Sequence, residues 1–238
     1  MEPATKEIAE FILKYEWLGT LGVYPKWCFT ARYKGMLAGA IIMNEPTAYS
    51  KILGEETPKY EALIQRGATS SWAPKNLGSR LIRFACNWMV NNSEKRAFVA
   101  YGDPSAEEIG TIYQACGFDY LGQSFGNSVL YRHPQVKKGK IFSAQSLKRT
   151  SAFRRWCKHN SITPKKHWFK ENQFKDLNAI PQTIKDRWNA YNRRIISESE
   201  QFLVGRKHKY VLVLGKDKTD QRTLSALKNY QTFPYPKR

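Results

Sequence analysis

Between residues 60 and 121 the hydrophobic period of the chain alternates between that of a strand and that of a helix, which points to helices packed on a sheet. Tyr60–Ser70 carries Glu61-Ala62-Leu63-Ile64 and reads as a strand. Leu77, Leu81, Phe84, Ala85 and Trp88 recur at steps of three and four, so a helix is expected over Arg80 to Asn91 with those side chains on its buried face. Ala97–Tyr101 is a short apolar strand stopped by Gly102-Asp103-Pro104-Ser105. Ile109, Ile112, Tyr113 and Cys116 then predict a helix from about Glu107 to Cys116, closed by Gly117. Phe118–Leu121 and Asn127–Arg132 read as a closing hairpin. Upstream, Lys6–Leu18 has the spacing of an amphipathic helix, and Trp27–Tyr33 and Met36–Met43 are strands turned by Lys34-Gly35. Asn44–Pro58 holds two prolines and a glycine and reads as a long surface loop, of the kind that often carries function.

Charge divides the chain differently from hydropathy. Residues 1–120 hold 13 Lys plus Arg and 13 Asp plus Glu, whereas residues 121–238 hold 26 and 7, so the whole formal charge of +19 falls in the second half. A polyanion is the partner such a surface suits, because displacing counterions from a nucleic-acid backbone drives association. Within that half, cations alternate with aromatics in Lys148-Arg149, Arg154-Arg155-Trp156, Lys158-His159, Lys165-Lys166-His167-Trp168-Phe169-Lys170 and Arg187-Trp188. Such mixing brings cations to phosphates and rings to sugars or splayed bases. The segment is expected to be folded, with a helix from Gln182 to about Ser199 packing Ile184, Trp188, Tyr191 and Ile195 on the body, a buried strand Tyr210–Leu214 and a helix over Thr219 to Asn229. These features divide the chain into a catalytic domain over 1–133 and a basic extension over 134–238.

Other classes are disfavoured. The N-terminus lacks the basic start and apolar run of a signal peptide, and no apolar stretch of about 18 residues is present to cross a bilayer. A soluble chain of the cytoplasm is expected, with no membrane partner and a homodimer among the assemblies open to it. Cys28, Cys86, Cys116 and Cys157 are far apart and form no C-x-x-C pair, so they read as small hydrophobes. His133, His159, His167 and His208 lie scattered among lysines and read as phosphate contacts or surface groups. No metal-binding spacing is legible.

Two positions have chemical potential by place alone. The segment Ser71–Ser79 enters a helix through small and polar residues, and a helix N-terminus with unpaired amides is a natural phosphate seat. Asp103 follows a strand at the end where α/β sheets present ligand-binding groups. It reads equally as a turn residue capping the next helix.

Ile112-Tyr113-Gln114-Ala115-Cys116-Gly117-Phe118-Asp119-Tyr120-Leu121-Gly122 resembles the late helix and strand of the GCN5-related N-acetyltransferases. That resemblance implies a mixed α/β sheet flanked by helices, here with a basic α+β C-terminal extension. It implies acetyl-CoA or a related acyl-CoA as donor, seated by Ala73, Lys75, Asn76, Gly78 and Ser79, although the family's glycine-rich loop is reduced here to Gly78. Tyr113 would be the acid that protonates the departing thiolate.

A narrower resemblance rests on Arg66-Gly67-Ala68, Trp72-Ala73-Pro74-Lys75-Asn76, Ala100-Tyr101-Gly102-Asp103-Pro104, Glu108–Ala115 and the terminal Pro234-Tyr235-Pro236-Lys237-Arg238. Together they are similar to the bacteriophage Mom family, which carbamoylmethylates adenine N6 in DNA and so shields phage genomes from restriction. The resemblance implies double-stranded DNA as partner, makes bound iron an expectation to test, and gives Asp103 the task of orienting or deprotonating the amine. Tyr49 or Trp72 would stack on a flipped adenine, with Arg66, Ser70 and Ser71 beside it. Arg154, Arg155, Lys165 and Lys166 would grip the backbone. The rivals are an N-acetyltransferase acting on tRNA and a non-catalytic DNA-binding protein on a transferase scaffold.

Overall fold

Lys34 and Gly35 both take positive φ, 49° and 78°, the twist a two-residue hairpin turn requires, and they join β1 (Trp27–Tyr33) to β2 (Met36–Asn44) as expected. The structure is a computed structural model that describes residues 1–238 apart from 17–20, 22–24, 47, 125–127, 137, 138, 140, 171–174 and 238. It divides the chain into one unit of Met1–Phe125 with Arg206–Arg238 and another of Gly126–Gly205.

The first unit contains α1 (Lys6–Tyr15), β1, β2, α2 (Thr57–Tyr60), β3 (Glu61–Thr69), α3 (Leu77–Asn92), β4 (Ala97–Gly102), α4 (Thr111–Ala115) and β5 (Asp119–Gln123). The second contains β6 (Ser128–Arg132), β7 (Phe142–Ser143), α5 (Ala144–Leu147), α6 (Thr150–His159), α7 (Gln182–Ser197) and β8 (Glu200–Val204). β9 (His208–Val213) and α8 (Lys218–Leu227) return to the first.

A mixed sheet of order β1-β2-β3-β4-β9-β5 forms the first unit, antiparallel throughout except where β3 meets β4. Both faces are covered. On one, Leu81, Ala85, Cys86 and Met89 of α3 pack against Phe29, Ile41, Ile64 and Phe98. On the other, Ile8, Phe11 and Ile12 of α1 meet Ala40 and Ile42, while Leu224 of α8 and the loop residues Ile52 and Leu53 meet Val99, Val211 and Val213. The second unit pairs β7-β6-β8 antiparallel and has its own core of Phe153, Trp156, Trp168, Ile180 and Trp188.

Several expectations are corrected. The division anticipated after residue 133 would put β9 in an extension, yet this buried strand lies inside the main sheet between β4 and β5. β5 and β6 do not form a hairpin: each belongs to a different sheet, and Asn127 lies outside the described residues. α3 begins at Leu77, and its buried stripe runs through Leu81, Ile82, Ala85, Cys86, Met89 and Val90. Phe84 is consequently 52% exposed, at the margin of the stripe and edge-on to Phe29. α7 packs Trp188 and Ile195 into cores of its own unit rather than onto the first. The long early loop is anchored, with Ile52 and Leu53 buried, and Thr47 lies outside the described residues. α1 is defined to Tyr15, with Trp17 and Leu18 also outside them.

Candidate active site

β3 and β4 pair only at Glu61↔Ala97, Ala62↔Phe98 and Leu63↔Val99, although β3 continues to Thr69 and β4 to Gly102. Past Leu63 the facing edges part. Antiparallel pairing on the far side of β3 also shifts, with Ile42 opposite Arg66 and Met43 opposite Ile64, so Gln65 is the extra residue of a bulge that bends the strand. Into the gap opens a cavity of about 430 Å3, walled by Ile64, Gly67 and Thr69 of β3, Gly102 of β4, Gly78 of α3 and the segment from Ala106 to Tyr113. Its size is ordinary for a small-molecule site.

The first turn of α3 borders this space. Asn76 takes positive φ, 63°, and its side chain makes no capping hydrogen bond. The Leu77 amide donates to Pro74 O, whereas the amides of Gly78 and Ser79 have no acceptor among the described residues. Two unsatisfied donors at the positive end of a 16-residue helix favour an anion there. Gly78 also has a packing reason, since a Cβ there would come within 2.8 Å of Ile112 Cδ1.

The opposite wall is fixed by β9. Tyr210 donates a short hydrogen bond to Ile109 O and accepts one from Gln114 Nε2 at 3.2 Å. Gly110 has φ of 74°, and any Cβ there would enter the Tyr210 ring. This contact explains why the helix expected from Glu107 is only Thr111–Ala115: Glu107 and Gly110 both take positive φ, which breaks the α-helix that the apolar spacing alone favours.

Tyr113 sits on the short helix with its ring 5.5 Å from those of both Phe118 and Tyr210, and it lines the cavity. Its hydroxyl has no hydrogen-bond partner among the described residues. Burial, reinforced by the charge of Glu108, pushes the phenol well above its ordinary range, so it holds its proton throughout physiological pH. Glu108 lines the same cavity. Although Glu108 is exposed, partial desolvation raises its carboxyl above the usual glutamate range.

Asp103 is elsewhere. It is buried, its Oδ2 lies 2.8 Å from Lys207 Nζ, its carbonyl accepts from the amides of Ala106 and Glu108, and it is not part of the cavity wall. Its amide donates to Glu108 Oε2 at 3.4 Å, so it shapes the loop that bears Glu108.

Of the other expected residues, only Gly78 reaches the cavity. Ala73, Lys75, Asn76 and Ser79 form the turn leading into it, with Ser79 Oγ donating to Asn76 O. Trp72 and Tyr49 are exposed. Ser70 is buried and tied by its amide and hydroxyl to Ala38 O. Arg66 lies 3.8 Å from Glu16 and donates to Gln65 O. In the second unit Lys165 and Lys166 are exposed, Arg155 is exposed at a cavity of that unit, and Arg154 stacks on Phe169 at 4.3 Å.

Two histidines read as surface groups are buried: His133, 3.5 Å from Glu198, and His208, whose Nδ1 is 2.7 Å from Tyr120 Oη. All four cysteines are buried, and burial raises the Cys116 thiol to about 11, so these are packing groups.

A model of the Mom protein family matches residues 14–237. The chain belongs to the Mom family. The match spans both units, so the segment Gly126–Gly205 is part of the Mom pattern. Mom membership gives the broad assignment of phage DNA modification, and with it an enzyme. No curated protein matches this Mom chain. Among the described residues no helix is long and apolar enough to cross a membrane. Nor do three His, Cys, Asp or Glu side chains converge there as a metal-ligand set, so the described residues do not fit the expected iron.

Proposed function

We propose that this Mom-family chain carbamoylmethylates adenine N6 in duplex DNA, with the cavity between β3 and β4 as its reaction chamber. The observation that carries this reading is the early end of β3–β4 pairing, which leaves two strand edges, an uncapped helix N-terminus, a protonated phenol and a carboxylate around one space. This arrangement supports an acetyltransferase-like site. Phosphates of an acyl-CoA-type donor would meet the amides of Gly78 and Ser79, and its extended arm would lie along the free edges of β3 and β4. Because the new bond goes to a methylene and not to a carbonyl carbon, the donor would have to carry an intact carbamoylmethyl unit joined through its CH2, so that N6–CH2 forms as the bond from that CH2 to the leaving group breaks.

Adenine N6 has its lone pair delocalised into the ring, so its proton must leave as the new bond forms. Glu108, which lines the cavity, would take it in place of Asp103, which does not line the cavity and was expected to orient or deprotonate the amine. Tyr113 would return a proton to the leaving group. Cations of the second unit, where 17 Lys plus Arg stand against 5 Asp plus Glu over residues 126–205, would hold the polymer. A flipped base is required because N6 pairs within the duplex.

Expression beside a plasmid, followed by nucleoside mass spectrometry, should yield an adenosine heavier by one carbamoylmethyl group. Unmodified plasmid in the presence of folded, soluble protein would overturn the reading. A non-catalytic DNA-binding protein predicts unmodified DNA bound as tightly by Tyr113→Phe as by the wild type, and a tRNA-directed enzyme predicts modified tRNA instead.

A further inference from the structure

The second unit has a cavity of its own, of about 580 Å3, whose wall brings together two arginines, a histidine and three aromatic rings. Arg155 and His159 stand four residues apart on α6 and therefore share a face, and Arg194 comes from α7. Trp156, Trp188 and Tyr191 line the same wall. The tryptophans are 5% exposed and belong to the core, whereas Tyr191 is half-buried and stacked on Trp188 with an interplanar angle of 16°. Among the described residues no Asp or Glu contributes to the wall.

Packing accounts for the rings but not for the cations. Lys158 in the last turn of α6 answers its negative end, yet Arg155 lies about a turn earlier and makes no ion pair among the described residues. Arg194 is 3.9 Å from Glu198, with both side chains more than half exposed, and its guanidinium lies 5.8 Å over the Tyr191 ring, so it is oriented toward the cavity wall while its surface ion pair contributes little. Two guanidinium groups face a wall to which no Asp or Glu contributes among the described residues, and an anion entering the cavity would be attracted by both. A guanidinium matches phosphate geometry best.

We infer that this cavity is the subsite that holds a backbone phosphate of the DNA, with Arg155 and Arg194 as its donors, Arg194 lying over the Tyr191 ring. The inference rests on the reading of DNA as substrate and narrows it to one place on the second unit.

The test is fluorescence anisotropy of a labelled duplex with the full chain over a range of salt. Arg155→Ala and Arg194→Ala should each weaken binding about tenfold and each lower the log–log salt slope by roughly 0.9. Lys218→Ala, which removes the same charge from an exposed site on α8, should change affinity far less. Circular dichroism and thermal melts matching the wild type establish that the variants are folded, as expected for exposed arginines. Duplex binding unchanged in both arginine variants, or weakened equally by Lys218→Ala, would overturn the subsite while leaving DNA as substrate intact. Failure of the wild type to bind duplex would overturn both. Displacement of the duplex by inorganic phosphate at constant ionic strength, lost in the arginine variants, would support the subsite, whereas phosphate that binds through these arginines without displacing the duplex would mark an isolated anion site and overturn the assignment to a polynucleotide.

Discussion

Tyr113 and Glu108 are matched by environment rather than by sequence distance. Burial raises the phenol and leaves it protonated, while partial desolvation raises the exposed carboxyl. A base must be ionised to work, so modification should rise with pH through the Glu108 titration, at a value above the ordinary 4.5. The raised phenol means that no alkaline decline from Tyr113 falls within the working range. Glu108→Gln should remove the acidic limb and lower the rate about a hundredfold or more, and Tyr113→Phe should cost a similar factor. Single-turnover modification of a duplex across pH checks both. Asp103→Asn should retain more activity than Glu108→Gln; the reverse order would restore the base role to Asp103. Tyr113 was legible because its place before Gly117-Phe118 resembles a known late helix. Glu108 was not, because an acid in the first turn of an expected helix looks like an ordinary dipole partner.

Among the elements, β9 governs the site. It pairs with β4 through Ala97↔Val213 to Gly102↔His208 and presents Tyr210 to the loop carrying Glu108. Its first residue adds a pH response. Burial lowers the His208 imidazole below 6.5, so protonation is harder in the folded chain than in the unfolded one. The resulting contribution is fully present above pH 6.5 and lost as pH falls through the depressed folded value. Thermal melts between about pH 7.5 and 5 should show this decline, and His208→Gln should flatten it while lowering stability at about pH 7.5 through loss of the Tyr120 contact. The run Tyr210–Leu214 announced a buried strand plainly enough. Its neighbours could not be read, because β pairing across residues 97 to 213 leaves no local trace in composition. The same limit applies to α4: Ile109, Ile112, Tyr113 and Cys116 have helical spacing, and positive φ at Glu107 and Gly110 breaks the first turn, with the distant Tyr210 ring leaving no room for a side chain at Gly110.

Across the whole molecule, charge and architecture follow different boundaries. The surplus of 26 cations over 7 acids begins near residue 121 and continues to the C-terminus, but the first unit reclaims Arg206–Arg238. Departure and return lie side by side, since the Ser124 amide donates to Lys207 O at 2.8 Å and the Lys207 amide to Ser124 Oγ at 3.1 Å. A chain in which a short glycine-rich link replaces residues 126–205 should therefore fold cooperatively, with β9 between β4 and β5, and lose most salt-dependent affinity for duplex. A chain ending at Gly205 should aggregate. Circular dichroism, melting and anisotropy distinguish these results, and a disordered excision variant would contradict the insertion. Order of synthesis also bears on β9. The ribosome releases β4 and β5 long before the strand that separates them, so both nascent edges wait for a partner while the intervening segment is made. During that interval the growing polypeptide is open to mispairing with its neighbours on the polysome, and overproduction at lower temperature should favour the correct insertion.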